Sequence, residues 1–286
     1  MSMRLFVDNL TNIDFSYFCP KRGLVGETWL TSIELVGQLD EQGMVCDFGI
    51  VKKTIRTWLD TKLDHCLLVP ASHPSVSVNS DEQTCQASLA DGTECKAPKS
   101  AITSIPVSDI NMDSVARWAE AALMEVFSNE LAVPLQGLNL HFQAETIEGP
   151  YYHYSHGLKK HKGACQRIAH GHRSRLLIWR NGELCEKSIK VWCARFRDIY
   201  IASREDMSGE TATHFQFAYE AQQGAFFLSV AKERCYFIDT ESTVEYIAQH
   251  LLDTMEQHYP NEQFTVKAFE GVGKGALIDG QKPLDL

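Results

Sequence analysis

The stretch from Tyr152 to His172 gathers His153, His156, His170 and His172 around one thiol, Cys165. Imidazoles and thiols bind metals and carry protons. His170-Gly171-His172 is an alternating pair, and on a strand its rings share one face because strand side chains repeat every two residues. His156, from a neighbouring strand, completes a facial trio. Three imidazoles leave the fourth zinc position open to water or substrate, which marks a catalytic rather than a structural site. Cys165 then stands beside the metal as base or nucleophile. By its odd spacing His153 falls on the opposite strand face from His156 and is assigned to structure. His161 is an alternate ligand. The competing reading makes these histidines part of a polar surface loop.

The same region is basic. Lys159, Lys160, Lys162, Arg167, Arg173 and Arg175 follow His156 with no Asp or Glu among them, in a chain whose formal net charge is −10. Such a cluster suits an anionic substrate, and a polyphosphate better than a single carboxylate. The acidic balance of the whole argues against nucleic-acid binding.

These residues need a scaffold. The chain has 286 residues and 44% hydrophobic content, enough for one large or two ordinary domains with proper cores. No apolar run has the length of a membrane span, and no signal-peptide pattern opens the chain, so a cytoplasmic protein is expected. Nine scattered cysteines read as free thiols in a reducing compartment. The order of elements is similar in two halves, 1–148 and 149–286. In the first, Met3 to Asp8 and Trp29 to Gly37 read as strands, and Asp47-Phe48-Gly49 caps a helix to about Leu59. A hairpin turns at Asp91-Gly92, a helix begins near Asp113, and Leu138 to Ala144 is a strand ending at Glu145. In the second, the Tyr152 strand leads to Ser174–Trp179 and a turn at Asn181-Gly182, and Lys190 to Ile201 reads as extended. A hairpin turns at Gln223-Gly224, a helix runs from about Ser242 to Gln257, and the strand Gln263–Phe269 ends at Glu270. The first helix of the first half finds no counterpart. The fold class is α+β, with antiparallel sheets backed by helices. Gly271-Val272-Gly273-Lys274-Gly275 precedes no helix and is not read as a phosphate loop.

Several of these pieces together resemble the 6-pyruvoyl-tetrahydropterin and 6-carboxytetrahydropterin synthase family. They are the aromatic strand ending in His156, Cys165 before His-Gly-His, the Gly43–Gly49 turn into a helix, Leu63-Asp64-His65, and Glu145-Thr146. The resemblance implies two tandem tunnelling-fold (T-fold) modules, each an antiparallel sheet with helices on one face, in a homo-oligomer. It departs from an ordinary member by dividing the motifs. The first half keeps Asp64-His65 and Glu145. Its counterparts of the metal strands read Phe15-Ser16-Tyr17-Phe18-Cys19, with Cys19 in the place of His156, and Val25-Gly26-Glu27. The second half holds Cys165 and the histidine trio but no Leu-Asp-His. The complementary losses point to one composite site.

What the resemblance implies is a lyase acting on 7,8-dihydroneopterin triphosphate. Zinc (Zn2+) sits on His156, His170 and His172, Cys165 takes a proton, and His65 with Asp64 relays protons. Glu270 or Glu145 anchors the pterin, with Glu270 favoured. Lys159, Lys160, Arg167 and Arg173 hold the triphosphate. The product is pyruvoyl or carboxy, the latter feeding queuosine synthesis. The rivals are an inactive zinc- or pterin-binding module kept for assembly or regulation, and a two-module nitrile reductase of the same fold, which would need no zinc trio.

Overall fold

The computed structural model describes residues 2–129 and 135–280, so the outermost parts of the expected modules, 1 and 281–286, and the segment 130–134 lie outside the described residues. In chain order the elements of the first half are β1 (Met3–Cys19), β2 (Gly23–Gly37), α1 (Phe48–Lys62), β3 (Leu67–Pro70), β4 (Val76–Ser80), β5 (Thr84–Leu89), β6 (Glu94–Pro98), β7 (Ile102–Ile105), α2 (Met112–Asn129) and β8 (Gly137–Ala144). Those of the second are β9 (Tyr151–His156), β10 (His170–Arg180), β11 (Glu183–Leu184), α3 (Glu186–Arg195), β12 (Ile199–Ser203), β13 (Met207–Glu210), β14 (His214–Ala221), β15 (Gly224–Ala231), β16 (Cys235–Ile238), α4 (Val244–His258), β17 (Phe264–Phe269) and β18 (Gly275–Asp279).

Each half builds one helix-backed sheet, with orders β7-β3-β1-β2-β8 and β16-β12-β9-β10-β17-β18. The central pairs are antiparallel, and β3 and β12 add to them in parallel. Helix α1 starts where Asp47 accepts from the Gly49 and Ile50 amides, and it buries Val51, Ile55 and Leu59 at a spacing of four. Helix α4 starts at Thr243 and buries a stripe from Val244 to Met255. The α1 and α2 faces close the core of the first sheet, and α3 and α4 close that of the second.

Two expectations are corrected. Lys190 to Ile201 is not one extended segment: α3 covers its first part, because Ile189, Trp192, Cys193 and Phe196 lie on one helical face and are buried. The second half therefore does have a counterpart of α1. The hairpin at Asp91-Gly92 is present as β5 and β6, and β4 lies beside it. These join β13, β14 and β15 in a six-stranded sheet through the β15–β6 pairing, Leu228 opposite Cys95. A third core lies under it, with Phe18 and Leu67 from one half and Tyr200 and Phe217 from the other. All nine cysteines are free, including Cys85 and Cys95.

The two halves meet through equivalent residues. Ser16 pairs with Gly26 as Ser155 pairs with Gly171, and β3 and β12 enter beside Ser16 and Ser155 in matching register. The hydroxyls of Ser16 and Ser155 are 2.7 Å apart. A methyl group on Gly26 would overlap the Tyr154 carbonyl and come within 2.7 Å of the His172 amide nitrogen. Only glycine allows this approach. Gly26→Ala should therefore cost about 3 kcal/mol or more, at the upper end for overpacking, measured by denaturant unfolding. Gly137→Ala, whose nearest neighbours are at 3.6 Å, should change stability by about 0.5 kcal/mol or less.

Candidate metal centre

The register of β9 and β10 sets His156 opposite His170, with His172 two residues on. All three rings are buried, and each offers a ligand atom within 4.8 Å of the others. His156 donates from Nδ1 to the Ser242 carbonyl at 2.8 Å, and His170 donates from Nδ1 to the Arg167 carbonyl at 2.8 Å. Burial holds both imidazoles well below their usual pKa. A neutral ring with its proton on Nδ1 presents a lone pair at Nε2. The third ring is held differently: His172 Nδ1 lies 3.1 Å from Asp14 Oδ1. The His156 and His172 Nε2 atoms are 3.2 Å apart. Two nitrogens bound tetrahedrally to zinc at about 2.05 Å would be about 3.3 Å apart. Imidazoles with outer partners on the far nitrogen fit a zinc-type ion.

Asp14 comes from the first half and ties several parts together. Its amide donates to Asp64 Oδ1 at 2.8 Å, and its carbonyl accepts the His65 amide at 2.6 Å. Its carboxylate accepts from the Thr28 hydroxyl at 2.6 Å and lies 3.0 Å from Lys274 Nζ. Burial alone would raise this carboxyl, but His172 and Lys274 hold it far below the ordinary range.

Asp64 and His65 follow α1 in a turn with His65 at φ 53°, in the left-handed region. Asp64 Oδ2 is 2.6 Å from His65 Nδ1. The His65 ring is 4.9 Å from that of His170, centre to centre. Burial opposes a charge on His65, yet the neighbouring Asp64 and Cys165 side chains push it up to about 10. Cys165 sits in a short turn, Gly163–Gln166, within the segment 157–169 that joins β9 to β10. The buried Gln166 braces it: Tyr219 donates to its carbonyl at 2.8 Å and the Gln223 amide to its Oε1 at 2.7 Å. The structure thus brings His156, His170, His172 and Cys165 of one half beside Asp64 and His65 of the other.

The remaining candidates divide. Glu270 lies 3.7 Å from His172 Nε2 and so shares the cluster. Glu145 does not enter it through its recorded partners. Its carboxylate pairs with Arg175 at 3.2 Å, and its carbonyl accepts from Arg173 at 2.7 Å. The basic loop is less free than its local sequence suggests. Lys159 pairs with Asp206 at 3.3 Å, and Lys160 with Glu205 at 2.8 Å and Glu241 at 3.4 Å. These carboxylates lie 45 or more positions away, beyond the reach of local charge patterning. Arg167 is buried and donates to Gln223, to the Asp64 and His65 carbonyls and to the Cys66 sulfur, so it braces the 64–66 turn. Sequence reasoning passed over Asp14 and Lys274. Asp14 sits at the register position of His153 in the other half, a signal visible only once Ser16 is matched to Ser155.

That match also describes a counterpart site. Tyr17 stands where His156 stands, Val25 where His170 stands and Glu27 where His172 stands. Cys19 is not the counterpart of His156; β1 and β2 are joined by residues 20–22 alone, and Cys19 lies beyond the matched position. After α3, Phe196-Arg197-Asp198 replaces Leu63-Asp64-His65, with Asp198 at φ 55°. His153, the counterpart of Asp14, donates to the Gly26 carbonyl at 2.7 Å and lies 3.8 Å from Glu27. Burial lowers His153 to about 4 and pushes Glu27 up to about 7.

Comparison with known families agrees with this doubling. The profile of the 6-pyruvoyl tetrahydropterin synthase family matches residues 16–141 and again 148–280. Among solved structures, the 6-pyruvoyl tetrahydropterin synthase of Plasmodium vivax is similar at 19% identity and a TM-score of 0.41, covering 50% of this chain and 91% of its own. That of Plasmodium falciparum is similar at 17% identity and a TM-score of 0.40, with the same coverage. A search of curated proteins finds no match.

A protonated Glu27 stabilises the fold fully below its unfolded pKa of 4.5, and the contribution is lost as pH rises to about 7. Glu27→Gln should therefore gain about 2 kcal/mol relative to the parent chain between pH 5 and 8, measured by urea unfolding. Parallel curves for the two proteins would contradict this assignment.

Proposed function

The chain belongs to the 6-pyruvoyl tetrahydropterin synthase family, and from that premise we propose that it is a zinc-dependent pterin lyase acting on 7,8-dihydroneopterin triphosphate. One observation carries the reading. The three imidazoles and Cys165 of one half adjoin the Asp64–His65 pair of the other. Neither half alone contains this set, and the two module boundaries are taken as 1–148 and 149–286.

His156, His170 and His172 would hold the zinc. Zinc there would supply Lewis acidity toward a substrate oxygen, which eases loss of a proton from the adjacent carbon. Cys165 takes that proton. His65 carries one at neutral pH, held by Asp64, and returns it to the side chain as the double bond moves. Glu270 accepts N–H bonds from the guanidine-like edge of the pterin and fixes its orientation. Glu145 is already committed to Arg175 and is not assigned this role. Lys274 is the half-exposed cation beside Asp14 and Glu270, so it is the first candidate to meet the departing triphosphate. Arg167 and Arg173 act by bracing protein carbonyls, and Lys159 and Lys160 act from their ion pairs.

Partners and setting follow from the same reading. No helix among the described residues is long and apolar enough to cross a membrane. Among the described residues the helix-backed sheets end in unpaired edges at β7, β8, β16 and β18, which support association of copies. A cytoplasmic homo-oligomer is the expected state.

The test combines metal analysis with triphosphate release from 7,8-dihydroneopterin triphosphate. Wild type should hold near-stoichiometric zinc and turn over. His172→Ala should lose both. Cys165→Ala should keep the zinc and lose turnover by about 100-fold or more, and His65→Ala should do the same. Zinc-loaded wild type with no release would favour an inactive binding module. A chain with full turnover and no zinc would refute the proposal.

A further inference from the structure

The counterpart site has lost its metal ligands, yet it has not closed. A cleft of about 550 Å³ remains beside it, lined by Arg22, Tyr151, His153, Lys190, Arg197 and Asp198. Its charge runs against that of the whole chain. Arg22, Lys190 and Arg197 face Asp198 as the lone carboxylate of that lining. Asp198 is itself doubly neutralised. Arg22 donates to it from Nε at 3.0 Å and from Nη2 at 2.5 Å, and Arg234 approaches at 3.7 Å. Lys190 and Arg197 are exposed, and among the described residues their one ion pair is Lys190 with Glu186, an exposed pair that water screens.

The substitutions that remove metal binding also produce this charge. Where the histidine cluster has Asp64-His65, this site has Arg197-Asp198. Where it has His156, it has Tyr17, whose hydroxyl accepts from Arg22 Nη1 at 3.1 Å. The arginine fork is thereby fixed in place by a carboxylate and a phenol before any ligand arrives, so little freedom remains to be lost on binding. Tyr151 adds a ring with Arg173 stacked at 4.1 Å on it and with 40% of its own surface exposed.

We propose that this cleft is a second, metal-free site that binds a small phosphate-bearing anion, with Arg197 and Lys190 as its exposed cations and the Arg22–Asp198 pair as its floor. The proposal does not depend on zinc or turnover at the histidine cluster.

Calorimetric titration of the full chain with inorganic triphosphate tests it. Wild type should bind saturably at the cleft. The double variant Lys190→Ala/Arg197→Ala alters exposed side chains, and it should weaken that binding at least tenfold. Lys274→Ala, at the histidine cluster, should leave the cleft's binding in place. Absence of saturable binding to wild type would overturn the proposal. So would binding that Lys274→Ala removes and the double variant does not, which would put the anion at the histidine cluster instead.

Discussion

Asp14 is the residue through which the histidine cluster of one half meets the Asp64–His65 turn of the other. Its backbone holds the Asp64–His65 turn, and its carboxylate meets His172, Thr28 and Lys274. A carboxylate this buried is tolerated only with partners of opposite charge and full hydrogen bonding. Those partners come from β2, β10 and the segment after β17, so satisfying one side chain orders three parts of the chain. The geometry of the histidine cluster is therefore not local to the strands that carry it. Ser242 and Arg167 complete the support by accepting the Nδ1 protons of His156 and His170.

The sequence was most legible where a side chain's role depends on its own strand or helix. The trio of His156, His170 and His172 follows from period two, and α1 follows from Asp47 and its apolar stripe. Legibility failed where a role depends on a partner far along the chain. Lys159 and Lys160 look like free cations until Asp206, Glu205 and Glu241 reach them. Asp14 looks like one more strand residue until β10 docks on β1. Helix α3 was missed for another reason: Val191 and the residues near it favour strands locally, while burial of Ile189, Trp192 and Phe196 on one face decides for helix. The β4–β6 strands carry a good turn signal at Asp91-Gly92, yet what they pair with lies in the other half.

Duplication explains the contrast between the two equivalent positions. Both keep the left-handed residue after the helix, the close glycine pair and the serine contact, because these hold the halves together. The other position has Tyr17, Val25 and Glu27 where the histidine cluster has His156, His170 and His172. The buried Glu27 lacks a strong cationic partner and is pushed up to about 7 by burial, whereas Asp14 opposite is driven the other way by His172 and Lys274. The same framework thus moves two acids in opposite directions through their surroundings.

The β6–β15 pairing joins the halves by backbone hydrogen bonds under a shared core. A cluster built between separate subunits comes apart when the subunits are dilute. Here both contributors belong to one chain and are locked by a common sheet, so their mutual concentration is fixed by the covalent link. The histidine cluster and its Asp64–His65 neighbours should persist as a unit at any protein concentration.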